Sequence, residues 1–88
     1  MNWRVIVHRE AAKQLSAIPP DRRERILHDI DELADDPFRG LVKPLRGEAH
    51  RGHYRKVSGR YRVIFKPTHP SRTVEVLAVL LRNERTYK

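Results

Sequence analysis

Residues 43–66, KPLRGEAHRGHYRKVSGRYRVIFK, constrain the fold more than any other part of the chain. Side chains in the second half alternate on both sides of Ser58 and Gly59, which predicts a β-hairpin that turns at those two residues. Gly59 supplies the positive φ angle that a two-residue hairpin turn requires. In this register Arg55 lies directly opposite Arg62, and like charges placed opposite each other are unfavourable. The pattern predicts that an anion binds there, most simply a phosphate, with a solvated face of separated guanidinium groups as the alternative.

The other face of the predicted hairpin is apolar and needs a covering layer. Helical spacing of apolar residues predicts one helix over residues 9–18 and a second that begins at Asp21, with Glu24 completing a capping box. The apolar stripe of the second helix is expected to pack on the hairpin. The stripe consists of Ile26, Leu27, Ile30, Leu33 and Ala34, and the first four are expected to contact Tyr61, Val63 and Phe65.

The remaining segments complete the fold prediction. Residues 2–7 and 73–81 have strand patterns, and the glycines and prolines of residues 38–52 predict a long loop. The elements then follow in the order β-α-α-β-β-β. The sequence predicts a single α+β domain over residues 1–88, with two N-terminal helices packed on a four-stranded, mostly antiparallel sheet.

The formal net charge of +8 is unevenly distributed along the chain. Residues 37–88 contain thirteen basic and three acidic side chains, whereas residues 21–36 contain seven acidic and three basic ones. A basic half beside an acidic helix is typical of a nucleic-acid-binding protein that turns its acidic side away from the polyanion.

Composition also indicates where such a chain works. The absence of cysteine fits a reducing cytoplasm. The longest apolar run, residues 76–81, is far too short to span a bilayer, so we expect no membrane partner. His50 and His53 are close in sequence, but two histidines without a third ligand do not predict a metal site, and we expect no cofactor.

Three segments resemble the RelE/ParE toxin superfamily. They are PLRG at residues 44–47, YRKVSGRYRVIF at residues 54–65 and LRNERTYK at residues 81–88. The second is similar to the family pattern yR.r.G.YRviY, and the third to its closing R….Y. The resemblance extends over essentially the whole chain and points to the RelE-like mRNA interferase branch.

The resemblance implies a toxin that acts as a metal-independent endoribonuclease on mRNA in the ribosomal A site. A cognate antitoxin would silence it, with a monomeric toxin inside the toxin–antitoxin complex. In this branch the 2′-hydroxyl of the RNA attacks the phosphodiester and leaves a cyclic phosphate and a free 5′-hydroxyl. The transition state gains negative charge, and guanidinium groups stabilise it more than they stabilise the ground state.

The resemblance also implies roles for eight residues. The implied catalytic residues are Arg62, one of Arg82 and Arg85, and Tyr87. Tyr87 would orient or deprotonate the 2′-hydroxyl, or stack on a base. The residues implied in binding RNA phosphates are Arg46, Arg55, Lys56 and Arg60.

Two other functions remain open at this stage. The ParE-like branch inhibits DNA gyrase by binding and cleaves nothing, and one fold hosts both activities. A non-catalytic RNA- or ribosome-binding module would need only the basic face. Tyr87, which follows Arg82 and Arg85, favours the nuclease.

Overall fold

The computed structural model describes residues 2–82, which form two helices and a sheet. The elements in chain order are β1 (Arg4–Val7), α1 (Arg9–Ser16), α2 (Pro20–Asp35), β2 (Val42–Pro44), a 3-10 helix (Glu48–His50), β3 (Tyr54–Ser58), β4 (Tyr61–Thr68) and β5 (Thr73–Leu81). The α+β class is confirmed, and both helices follow β1. Within residues 2–82, no helix is long and apolar enough to cross a bilayer.

The sheet differs from the prediction in its number of strands and their directions. It has five strands in the order β1-β5-β4-β3-β2, with β1 parallel to β5 and the other neighbours antiparallel. The prediction of four mostly antiparallel strands is therefore wrong, because β2 lies in the segment predicted as a loop. β2 is a three-residue edge strand that ends at Pro44, too short to show a strand pattern and tolerant of proline because it is at the edge.

The second helix begins one residue earlier than predicted. Pro20 occupies its first turn, Pro19 precedes it, and no side chain caps its N-terminus. The predicted capping box of Asp21 and Glu24 is therefore wrong. Proline suits the first helical position because its φ angle is already helical and the missing N–H would have had no partner.

The core lies between the helices and one face of the sheet. It contains Ala11, Leu15, Ile18, Ile26, Ile30, Leu33, Val63, Phe65, Val74, Val76 and Val79, with Tyr54 and Tyr61 packed against it. Four of the five predicted stripe residues of α2 are buried: Ile26, Ile30 and Leu33, which belong to this cluster, and Ala34 at the end of the helix. The exception is Leu27, which is 44% exposed.

The hairpin of β3 and β4 turns one residue later than predicted. Ser58 pairs with Tyr61, so the turn residues are Gly59 and Arg60, and Gly59 has a φ angle of 59°. A positive φ at the first turn residue alone is the pattern of a type II′ turn, which matches the twist of the flanking strands. Arg55 consequently pairs with Ile64, not with Arg62 as predicted. Partners shift by two residues, so every side chain keeps its predicted face.

The final strand is held by both its neighbours and α1. β5 continues beyond the last residue of β1, and its pairing with β4 has an irregularity between Ile64 and Phe65. The backbone N–H of Val79 donates to Oε1 of Gln14 at 2.6 Å. At the end of β5, the N–H of Arg82 donates to the carbonyl of Arg60 at 2.7 Å, which fixes Arg82 beside the hairpin turn.

Candidate nucleic-acid interface

The face of the sheet opposite the helices is basic. Strand alternation and the observed register place Arg4, Lys43, Arg55, Arg62 and Lys66 on this face, with Glu75 opposite Lys66 as the one acid of the described strands. Arg62 pairs with Val57 and is diagonal to Arg55, at a separation of roughly 8 Å. The two residues therefore share the face without lying opposite each other, which relieves the repulsion that the predicted register contained.

Arginines from four parts of the chain meet at the Gly59–Arg60 turn. One depression is lined by Arg22, Arg25, Ser58, Gly59, Arg60 and Tyr61, and the neighbouring one by Gly59, Arg60, Leu81 and Arg82. Neither set of lining residues contains an acid, and the ring of Tyr61 lies among the arginines. We call these arginines the turn cluster: Arg22, Arg25, Arg60 and Arg82, which line the two depressions, and Arg62, which lines neither but hydrogen-bonds to the carbonyl of Gly59 from the other face of the sheet.

Arg62 is the member of the turn cluster that the protein holds most firmly. The residue is only 7% exposed. Its Nη1 donates to the carbonyls of Gly59 at 3.1 Å and Tyr61 at 2.9 Å. The guanidinium group has five N–H donors, and these two bonds fix its orientation. Arg62 is therefore preorganised at the base of the turn.

A second group of basic residues lies on the β2 side of the sheet. Lys43, Pro44, Leu45, Arg46 and Arg55 line one depression, and Lys43 pairs with Arg55 across the β2–β3 ladder. We call Lys43, Arg46 and Arg55 the edge cluster. It contains two of the residues implied in phosphate binding, and Lys43 adds a third charge that sequence reasoning missed because β2 was not predicted.

Lys56 does not belong to either cluster. It is 3% exposed and faces α2, where its Nζ donates to the carbonyl of Asp29 at 3.2 Å and to Oε1 of Glu32 at 2.9 Å. The hydrogen bond and the charge of Lys56 lower the pKa of Glu32. This placement contradicts the assignment of Lys56 to RNA phosphates, because its ammonium group ties β3 to the helix layer.

The Lys56–Glu32 pair gives a prediction about acid stability. Because the folded-state pKa of Glu32 is depressed, its ionised carboxylate stabilises the fold at pH values above the ordinary glutamate pKa of 4.5. This stabilisation is lost as the pH falls through the folded-state pKa. Between about pH 7 and about pH 3 the wild type loses free energy of unfolding, and we expect Lys56→Met to lose less over the same range. Urea denaturation at both pH values measures it, with Lys13→Met on α1 as the charge-matched control. An equal acid loss in wild type and Lys56→Met would contradict the prediction.

His53, just before β3, has a depressed pKa. Burial first, and then the nearby charges of Lys66 and His50, lower its pKa from 6.5. Its imidazole is therefore mostly neutral at pH 7. His53 precedes β3 whereas the turn cluster follows it, so roughly 15–20 Å of strand separates them. Within residues 2–82, no three His, Cys, Asp or Glu side chains are grouped as a metal-binding set.

Solved structures match this arrangement over nearly the whole chain. The RelBE2 toxin–antitoxin complex of Mycobacterium tuberculosis contains a chain with a TM-score of 0.82 and 26% identity, over 93% of this chain and 100% of that one. A chain of the archaeal RelE–RelB complex of Pyrococcus horikoshii has a TM-score of 0.80 and 28% identity, over 96% of this chain and 99% of that one. The chain belongs to the RelE-like toxin superfamily.

Membership in the RelE-like toxin superfamily rests on three-dimensional structure. A YoeB/ParE toxin from Agrobacterium tumefaciens has a TM-score of 0.74 at 16% identity, over 91% of this chain and 99% of that one, and it shows the shared fold alone. No family model matches the chain, and no curated protein does.

The structure brings some of the implied site residues of this RelE-like chain together. Arg60, Arg62 and Arg82 are in the turn cluster, and Arg46 and Arg55 in the edge cluster. Arg85 and Tyr87 lie outside the described residues. Sequence reasoning missed Arg22 and Arg25, because the seven acids of residues 21–36 predict a helix turned away from the ligand. The signal was present in its first turns, where all its arginines are concentrated.

Proposed function

We propose that the chain is the toxin of a toxin–antitoxin pair and cleaves mRNA on the ribosome. The observation that supports this best is the turn cluster, in which four arginines from α2, the hairpin turn and the end of β5 line two depressions without a lining acid, and Arg62 of β4 bonds to the same turn. Such a set is stable when it faces a polyanion. It is also suited to a phosphate that gains charge during a reaction, since preorganised donors favour that state most.

In the proposed reaction the 2′-oxygen of one nucleotide attacks the adjacent phosphorus. The bond from phosphorus to the 5′-oxygen of the next nucleotide breaks, which gives a 2′,3′-cyclic phosphate and a 5′-hydroxyl. The 2′-hydroxyl loses its proton, and the departing 5′-oxygen takes one up. Arg62, with Arg82 or Arg85, stabilises the charge on the phosphoryl oxygens, and Tyr87 orients or deprotonates the 2′-hydroxyl.

The phosphates beside the cleavage point would lie on the remaining basic residues. Arg60 lies at the turn itself, and Arg46 and Arg55 in the edge cluster extend the same basic face toward β2. Lys56 has no part in this proposal because its charge is engaged with α2. Among the described residues, no imidazole or carboxylate lines the two depressions of the turn cluster, and the nearby Asp29 accepts a hydrogen bond from Ser58. The site alone would be slow, so we infer that the ribosome supplies the alignment of the 2′-hydroxyl.

The proposal is tested by adding the purified protein to translating ribosomes and mapping the 5′ ends of the mRNA. We expect new ends at the codon in the A site, with 5′-hydroxyl and cyclic phosphate termini. DNA gyrase supercoiling is assayed in parallel. Inhibited gyrase with intact mRNA would replace the proposal with a ParE-like function, and intact mRNA with ribosome binding would leave a non-catalytic binding module.

The same proposal implies a partner. An acidic or amphipathic segment of a cognate antitoxin would cover the basic face and block access to the turn cluster. Arg62 is already buried, so the arginines that the partner covers are the exposed Arg60 and Arg82.

We expect the affinity for such an antitoxin to fall as salt rises from about 50 mM to about 500 mM, because exposed charges are screened over that range. The double variant Arg60→Ala/Arg82→Ala should bind more weakly at low salt and show a smaller dependence on salt. Calorimetry or surface plasmon resonance measures both. Salt-independent binding to the acidic end of α2 would contradict this prediction.

A further inference from the structure

Another basic depression lies at the other end of the sheet, beside the turn that joins β4 to β5. Its lining residues are Asn2, Trp3, Arg4, Ser71, Arg72 and Thr73. None of them is acidic, and both arginines are exposed. β4 is eight residues long, so this depression is roughly 25 Å from the turn cluster at about 3.3 Å per residue. The proposed cleavage site therefore does not include it.

Backbone hydrogen bonds join the two distant segments that form this depression. The N–H of Arg4 donates to the carbonyl of Arg72 at 2.9 Å. The N–H groups of Asn2 and Trp3 both donate to the carbonyl of Ala34, at 3.1 and 3.0 Å. The start of β1 and the β4–β5 turn are thus held side by side, and the two arginines project from a fixed backbone.

Arg72 has a backbone conformation that is unfavourable for arginine. Its φ angle is 50°, and it is the one non-glycine residue with a positive φ within residues 2–82. Glycine or asparagine fits this left-handed region better, because an arginine Cβ crowds its own backbone there. An unfavourable conformation at a charged, exposed residue points to a use for its side chain.

Trp3 adds an aromatic surface to the two guanidinium groups. It is half-buried against the core, and its ring contacts that of His69 edge to face, with ring centres 5.3 Å apart and an angle of 73° between the ring planes. His69 in turn stacks on Phe38, with the ring centres 6.0 Å apart. The nearby acid Asp36 accepts a hydrogen bond from the N–H of Phe38 at 2.9 Å and does not line the depression. Arginines beside a fixed aromatic ring are typical of sites that bind single-stranded RNA by phosphate contact and base stacking.

We propose that this depression binds one nucleotide of single-stranded RNA, with Arg4 and Arg72 on a phosphate and the indole of Trp3 against a base. The inference rests on the proposed function in one respect, that RNA is the ligand of this protein. It adds a further point of attachment, distinct from the turn and edge clusters, that would hold the RNA strand or an unpaired nucleotide of the ribosome.

Trp3 is the single tryptophan of the chain, so its fluorescence reports this depression alone. A single-stranded RNA of about twelve nucleotides, long enough to exceed the footprint of one small domain, is titrated into the free protein. We expect the RNA to quench Trp3. In Arg72→Gly the same quenching should need roughly 3- to 10-fold more RNA, and the salt slope should fall by about 0.7. Because glycine suits the φ angle of residue 72, this variant should fold at least as stably as wild type.

Three comparisons make the result decisive. Arg9→Ala on α1 removes the same charge and should leave the quenching unchanged. Unchanged Trp3 fluorescence at saturating RNA, or equal titrations of wild type and Arg72→Gly, would overturn the proposal. Equal quenching by heparin, a polyanion without bases, would also overturn it, since the site would then recognise charge alone.

The test also separates this site from the proposed cleavage. The double variant Arg60→Ala/Arg82→Ala should lose mRNA cleavage and keep the quenching of Trp3 by RNA. If wild type quenches normally but cleaves no mRNA on ribosomes, the proposed function fails while the nucleotide site stands. If cleavage occurs without quenching, the nucleotide site fails and the proposed function stands.

Discussion

Arg62→Ala is expected to lower the single-turnover cleavage rate on ribosome-bound mRNA by about 10²–10³-fold at saturating protein. The guanidinium group is fixed by the carbonyls of Gly59 and Tyr61 and is 7% exposed, so it needs no reorganisation when the phosphate gains charge. Ribosome binding should change little, because the other basic residues still contact phosphates and each contributes modestly. Cleavage rates and the dissociation constant for ribosomes are measured side by side.

The same two hydrogen bonds also hold the hairpin turn, so a loss of stability is an alternative cause of lower activity in Arg62→Ala. Their loss removes two bonds to the hairpin turn, at a cost of about 1–3 kcal/mol in free energy of unfolding. Thermal unfolding of Arg62→Ala therefore accompanies the kinetics, which are run where the variant is fully folded. Arg9→Ala controls for the loss of charge. If Arg62→Ala weakens ribosome binding in proportion and keeps the saturated rate, Arg62 is a binding residue and the proposed catalytic role is wrong.

Ile30→Ala is expected to destabilise the fold by about 2–5 kcal/mol. Ile30 is 3% exposed and lies in the core between α2 and the sheet, in the same cluster as Val63 and Phe65. Truncation removes apolar contacts and leaves a cavity that the surrounding strands cannot fill. Equilibrium urea denaturation, monitored by circular dichroism, measures the change.

Leu27 provides the matched control for this prediction. It is on the same helix, has the same number of side-chain atoms as Ile30 and is 44% exposed. Leu27→Ala should change the free energy of unfolding by less than about 0.5 kcal/mol, as exposed substitutions do. Comparable losses in the two variants would mean that α2 buries a different face from the one described.

The hairpin shows how far alternation can locate a site. It placed Arg55 and Arg62 on one face and Tyr61, Val63 and Phe65 on the other, and the faces are confirmed by the register. It could not fix which residues oppose each other. Turns at Ser58–Gly59 and Gly59–Arg60 both place Gly59 in the turn, and the choice depends on the φ angle at the first turn residue.

Contacts between distant segments limited the rest of the site prediction. Lys56 follows Arg55 directly, so strand alternation already places it on the helix side of β3, but only the tertiary structure shows that Glu32 of α2 is its partner. The edge strand β2 has three residues and no pattern of its own, so Lys43 was not predicted beside Arg55. Arg22 and Arg25 belong to a helix with an acidic second half, and only the packing of α2 brings them to the hairpin turn.

By itself the sequence determined the helices, the hairpin, the faces of its strands and the basic character of one half of the chain. These properties depend on periodicity and composition, which are local. The tertiary structure decided the five-stranded order, the register, the engagement of Lys56 and the assembly of the turn cluster from α2, β4 and the end of β5. Those depend on which segments pack together, because the free energy of burying the core selects one arrangement among many with the same local patterns.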